Sequence, residues 1–262
     1  MAALHRIPPT ISDPKETAGA MNSPDAQSAY PVRIEGTPDH RLSRGLWLVK
    51  WLLAIPHYVI LLFLWIAMLG TTIVALFAIL VTGRYPRTLF DFNVGVLRWT
   101  WRAGFYSYSA LGTDRYPPFT LQDVPDYPAR LDIAYPRQLS RGLALVKWWL
   151  LAIPHYLIVA IFLDSGWAFS GGGRDAGLLP PGGLITVMVL IAAVALLFTA
   201  RYPKAIYDFV LGMNRWVFRV GAYCLLMTDR YPPFRLDMGG QEPPAATVTA
   251  LDIPPTPAPA RP

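Results

Sequence analysis

The chain has 262 residues, 53% of them hydrophobic and only 15% charged, with a mean hydropathy of +0.34. A soluble domain carries about 25% charged residues, so composition favours a membrane protein over a soluble globular one. The net charge of +6 is too modest to point to nucleic acid as a partner, and the single cysteine, Cys224, excludes an internal disulfide and reads as a small buried apolar residue.

Residues 1–29 mix Pro, Ser, Asp, Lys and Ala without an apolar run, and no signal peptide is expected. Residues 239–262 are rich in Pro and Ala. Neither stretch can bury enough apolar surface to offset the entropy of ordering, so both are expected to be disordered tails.

Between the tails the chain repeats itself. LSRGLWLVKWLLAIPHY ending at Tyr58 returns as LSRGLALVKWWLLAIPHY ending at Tyr156. GRYPRTLFDF at Gly83–Phe92 returns as ARYPKAIYDF at Ala200–Phe209, and TDRYPPF at Thr113–Phe119 returns unchanged at Thr228–Phe234. Blocks matching in the same order define tandem units, 30–124 and 125–238.

In the first unit the apolar run from Leu46 to Thr82 is far longer than the roughly 20 residues one crossing needs. In the second unit the same run is interrupted by the Gly-rich stretch 164–183, which is tolerable only in water. Each run is therefore expected to be a transmembrane helical hairpin. Helix one covers Ser43–Trp65 and Ser140–Leu163; helix two covers Ala67–Thr82 and Leu184–Ala200. Arg41, Arg44, Arg84 and Arg87 flank the open end of the first hairpin, and Arg137, Arg141, Arg201 and Lys204 that of the second. Positive charge marks the cytoplasmic side. The expected protein is multi-pass in a bacterial cytoplasmic (inner) membrane, with both termini cytoplasmic.

A third helix follows in each unit. Asp91, Arg98 and Arg102 fall within about 40° on a helical wheel, and Asp208, Arg215 and Arg219 repeat the pattern. Such an Arg-and-aromatic helix is expected at the cytoplasmic interface, a third crossing with its charges turned inward being the alternative. Tyr30–Gly36, Pro118–Asp123, Tyr127–Ile133 and Pro233–Met238 alternate polar and apolar residues, so short cytoplasmic strands should pair the start and end of each unit. The fold class is thus mainly α, integral membrane, with two tandem repeats.

The blocks LVKWLLAIPHY, GRYPRTLFDF and TDRYPPF resemble the bacterial membrane-protein family known as domain of unknown function 4389, in two copies over about 30–238. The resemblance implies an integral membrane protein and supplies neither an activity nor catalytic residues.

His57 and His155 follow prolines deep in apolar runs. They are candidates for an intramembrane site, a proton relay or metal-binding pair. Against this stands a neutral His bonded to the carbonyl each Pro frees, at Leu52 and Leu150. Two His fall short of the three or four ligands of a zinc site, so no metal is assigned. Arg84, Arg87, Arg98, Arg102, Arg201, Lys204, Arg215 and Arg219 are candidate contacts to anionic lipid headgroups, with Asp91 and Asp208 as charge partners. Asp114 and Asp229 should pair with nearby Arg or cap a turn. No phosphate-binding loop, HExxH or GxSxG motif is present, and no cofactor is assigned. The expected role is a non-enzymatic scaffold or accessory subunit at the cytoplasmic leaflet, with membrane lipids as partners. The alternative is a transporter or lipid-handling protein with a site between the repeats.

Overall fold

A computed structural model of the chain describes residues 30–39, 41–163 and 183–239. The tails expected at 1–29 and from 240 onward, and the Gly-rich stretch 164–182, lie outside the described residues. The body is mainly helical with a two-stranded sheet. In chain order it runs β1 (Val32–Gly36), α1 (Trp47–Thr82), α2 (Arg87–Tyr106), β2 (Ala129–Ile133), α3 (Arg141–Val146), a π-helical turn (Lys147–Leu151), α4 (Ile153–Leu163), α5 (Leu184–Thr199) and α6 (Lys204–Cys224).

The hairpin expected in the first unit is corrected. Helix α1 is continuous for 36 residues and passes through Pro56 and Gly70. Apart from that Pro, no residue between Leu46 and Thr82 removes a backbone donor, and the expected turn near Ile66 had no turn residues to build it. Its template was the Gly-rich stretch, which belongs to the second unit alone. There the equivalent helix bends by 49° between Arg141–Leu151 and Ile153–Leu163. Helix α1 ends at Gly83 in the left-handed conformation (φ 70°), its N–H bonded to Ile79 O at 2.8 Å. Helix α5 ends the same way at Ala200, at φ 58°, a conformation that a Cβ disfavours.

The third helices do not expose the expected Arg-and-aromatic face. Most of α2 and α6 is buried, including Trp101 and Arg215 at 0% exposure. Helix α2 packs antiparallel along α1: Tyr58 meets Ser107, Trp65 meets Thr100 and Thr71 meets Asn93. Helices α2 and α6 meet where Trp101 packs edge-on to Phe218, and Asn214 Nδ2 of α6 donates to Ser109 O, in the turn after α2, at 2.8 Å.

The strands also pair differently from expectation. β1 and β2 are antiparallel, with Ile34 opposite Leu131 at the centre of the register. The start of one unit thus pairs with the start of the other. Thr37 N donates to Pro128 O and Ala134 N to Pro31 O, so the ladder bonds fall on alternate residues and the Ile34 and Leu131 carbonyls point outward. An arginine of the opposite unit occupies each: Arg98 Nε donates to Leu131 O at 2.9 Å, and Arg215 Nε to Ile34 O at 2.8 Å. The guanidinium groups close edges that would otherwise invite another strand. The extended pieces at 118–123 and 233–238 form no ladder. Their carbonyls go to arginines as well: Arg102 donates to Thr120 O and Gln122 O, and Arg215 to Asp237 O.

Candidate functional site

Each unit builds the same polar node where the start of its long helix meets its TDRYPPF turn. Lys50 lies on the narrow buried stripe of α1 with Ala54, His57 and Leu61. An ammonium there needs partners, since burial strongly penalises an unpaired charge. Lys50 Nζ donates to Thr113 O at 2.7 Å and pairs with Asp114 Oδ1 at 2.8 Å, and it lies 5.0 Å from the Tyr106 ring centre. Asp114 Oδ2 accepts from Ser43 N at 2.6 Å, just ahead of α1. A carboxylate at a helix N-terminus is favourable because free N–H groups and the positive end of the dipole converge there.

The second copy repeats the set. Lys147 Nζ donates to Thr228 O at 2.8 Å and pairs with Asp229 Oδ1 at 2.8 Å, while Ser140 N donates to Asp229 Oδ2 at 2.6 Å. Asp114 and Asp229 thus each hold a backbone N–H ahead of a helix, and their cationic partners are Lys50 and Lys147, not the expected Arg. The lysines did not figure among the expected site residues. Their signal was a lysine inside the same apolar block in both copies, with one Asp in the later block to match it.

About two turns further on, each His enters an aromatic box. Trp99 Nε1 donates to His57 Nδ1 at 3.0 Å, and Phe119 stacks on the imidazole at 4.1 Å and 12°. Trp216 Nε1 donates to His155 Nδ1 at 3.2 Å, and Phe234 stacks at 4.5 Å and 15°. Tyr116 and Tyr231 close the boxes at 4.8 Å. The expected bond from His to the carbonyl freed by proline is corrected. An indole N–H takes Nδ1, which leaves the imidazole proton on Nε2. The tyrosines bond to the carbonyl one residue beyond the one each Pro frees: Tyr116 OH donates to Leu53 O at 3.1 Å and Tyr231 OH to Leu151 O at 3.2 Å. Neither His Nε2 meets a hydrogen-bond partner among the described residues. These partners of each His come from its own copy, so the boxes are built separately.

The expected headgroup arginines divide into two groups. Arg84, Arg87, Arg201 and Lys204 are exposed. Arg102, Arg215 and Arg219 are buried and spend their donors inside the protein, Arg219 pairing with Asp237 at 2.7 Å. Arg98 is partly exposed and pairs with Asp132 at 2.8 Å. The stripe turns into the fold, towards the strands and the extended pieces at 118–123 and 233–238. Burial lowers the pKa of the Arg102 guanidinium from its ordinary value, while nearby Tyr127 and Asp123 act to raise it. Burial likewise raises the Tyr207 hydroxyl pKa. Asp91 and Asp208 do not partner the stripe; they pair one turn back with Arg87 at 3.0 Å and with Lys204.

A cavity of about 390 Å³ lies between the copies, with Trp51, Tyr58, Ser107, Ser109, Phe162 and Thr186 on its wall. Neither His lines it. Among the described residues no group of three or more His, Cys, Asp or Glu is placed to hold a metal ion.

These features define a mainly helical protein with a small sheet and one helix, α1, long and apolar enough to cross a membrane among the described residues. The bent pair around Ala152 joins it only if taken as a single span. The chain belongs to the family described as Domain of unknown function (DUF4389), whose model matches residues 44–120 and 182–235, consistent with two tandem copies. No curated protein and no solved structure matches the chain.

Proposed function

We propose that this is a membrane-bound, non-enzymatic scaffold or accessory subunit at the cytoplasmic leaflet of a bacterial inner membrane. The observation that carries this reading is the surface of the long helices. On α1, Phe63, Phe77 and Val81 are 67%, 63% and 74% exposed, and on α5 Phe198 is 78% exposed. The buried residues of α1 occupy an arc of only about 60°, and a helix apolar over the remainder belongs in lipid. The buried lysines and arginines meanwhile bond to backbone carbonyls or carboxylates within the fold, which suits a structural assembly more than a reactive centre.

The second reading is a lipid-handling or transport role, favoured by the cavity between the copies. Membrane fractionation with an alkaline carbonate wash tests the membrane assignment, which is lost if the chain is released. Mass spectrometry of the purified complex separates the two roles. A stoichiometric protein partner supports the scaffold, and a stoichiometric lipid without a protein partner supports lipid handling.

A further inference from the structure

We infer that the helices lie in the plane of one leaflet instead of crossing the bilayer, so that the partner surface is a single membrane face. The inference rests on the membrane reading above and specifies its geometry.

The first argument is the position of the charged sheet. Because α2 runs antiparallel along α1, the contacts Tyr58 to Ser107, Trp65 to Thr100 and Thr71 to Asn93 fix their register. Interpolation puts Arg98 level with about Ala67, close to the midpoint of α1. Arg98 holds β2 through Leu131 O and Asp132. The sheet therefore sits over the middle of the long helix. Its outer face carries exposed Arg33, Arg130 and Asp132, the last with a side chain 69% exposed. At helical rise α1 is about 54 Å long, against a hydrocarbon core of about 30 Å. An upright α1 centred on the bilayer would carry those charges to the middle of the hydrocarbon, where ionised side chains are strongly disfavoured.

The second argument is the symmetry of the copies. Arg98 on Leu131 O is matched by Arg215 on Ile34 O, around the central pair of the sheet. Helix α2 meets α6 at equivalent residues, Trp101 and Phe218; Ser109, in the turn after α2 and bonded back to Gly104 O, accepts from Asn214, one turn before Phe218, so the two helices run in opposite directions. The approximate two-fold axis is thus perpendicular to the long helices. Accordingly the end of α1 meets the start of the second copy, Leu139 N donating to Gly83 O at 2.9 Å. Exposed arginines stand at both ends of α1: Arg41 and Arg44 before it, Arg84 and Arg87 after it. Upright helices would divide them between the two sides of the membrane, whereas basic residues gather on one side. With the axis along the membrane normal, both ends reach headgroups of the same leaflet. The apolar arc of α1 then faces the acyl chains, and the charged sheet faces water.

The test uses the full chain with Cys224→Ser and single cysteines at Arg44, Arg84, Phe63 or Asp132, treated with a membrane-impermeant maleimide in spheroplasts and in inverted vesicles. The in-plane geometry predicts that Arg44→Cys, Arg84→Cys and Asp132→Cys react in inverted vesicles only. Phe63→Cys should react only after detergent is added. Arg33→Cys, on the same sheet face, replaces Asp132→Cys should that variant fail to accumulate. Reaction of Arg44→Cys and Arg84→Cys from opposite sides overturns the inference and leaves the membrane reading intact. Reaction of both in spheroplasts only keeps the geometry and moves the protein to the other leaflet. Ready reaction of Phe63→Cys without detergent, or loss of the chain from the membrane fraction, overturns the membrane reading itself.

Discussion

Removing Asp114 should destabilise the protein mainly through what it leaves behind. The Lys50 side chain is 1% exposed, whereas Asp114 is 22% exposed and reached by water. Breaking a fully buried pair costs about 3–5 kcal/mol; with Thr113 O still accepting from Lys50, about 2 kcal/mol is the appropriate figure for this pair. Asp114→Ala also frees Ser43 N–H ahead of α1, a loss of about 1 kcal/mol. The sum, about 3 kcal/mol, corresponds to a fall in Tm of about 6–12 °C for a chain near this size. Lys50→Met alone should cost about 1 kcal/mol, because Asp114 keeps Ser43 N–H and contact with water. In the double variant the stranded ammonium is gone, so its cost should fall below the sum of the single changes by about 1–2 kcal/mol. Thermal unfolding in detergent, followed by Trp fluorescence, measures all three variants. Asp229→Ala and Lys147→Met should reproduce the pattern. Strict additivity in both copies would refute the claim that the pair acts as a unit.

The two helix ends provide a contrast in sign. Gly83→Ala should lower stability by about 1 kcal/mol, and Ala200→Gly should raise it by a similar amount, because both positions are left-handed; a matched pair of melting curves reads this. His57→Gln keeps an acceptor for the Trp99 indole and should melt near the parent, while His57→Leu strands that N–H at a cost of about 1–3 kcal/mol. If both variants abolish a binding or transport activity while remaining folded, the structural role of His57 is wrong. Arg98→Glu should lower Tm by setting like charge against Asp132, and adding Asp132→Arg should restore part of it. If Arg98→Glu instead removes co-purified anionic lipid at unchanged Tm, the headgroup role expected from the sequence is correct for this residue.

Much of the site could be read from local pattern. The duplicated blocks located the His, the TDRYPPF turns and the arginine stripes, because each is a spacing within one stretch of chain. What partners them is not local. The aromatic boxes need Trp99 and Phe119 to meet His57 across helix, turn and helix. Periodicity shows that Arg98 and Arg102 share a face, but it cannot tell a stripe turned to lipid from one turned into the fold, Arg98 to a strand of the other copy and Arg102 to carbonyls of its own. The crossed pairing of β1 with β2 spans nearly one hundred residues, and a period-two pattern carries no information on partner choice. The first hairpin fails for a different reason: the Gly-rich insertion belongs to the second copy alone, and the first runs through Pro56 and Gly70 without a turn.

The orientation of α1 relative to the membrane is the central claim of the membrane account, and polarised infrared spectroscopy of the protein in aligned bilayers measures it directly. The amide I transition moment lies close to the helix axis, so its dichroism reports tilt. Helices in the membrane plane predict amide I absorption polarised in that plane, retained across lipid mixtures that bind the protein. Absorption polarised along the membrane normal would contradict the account and restore a spanning α1.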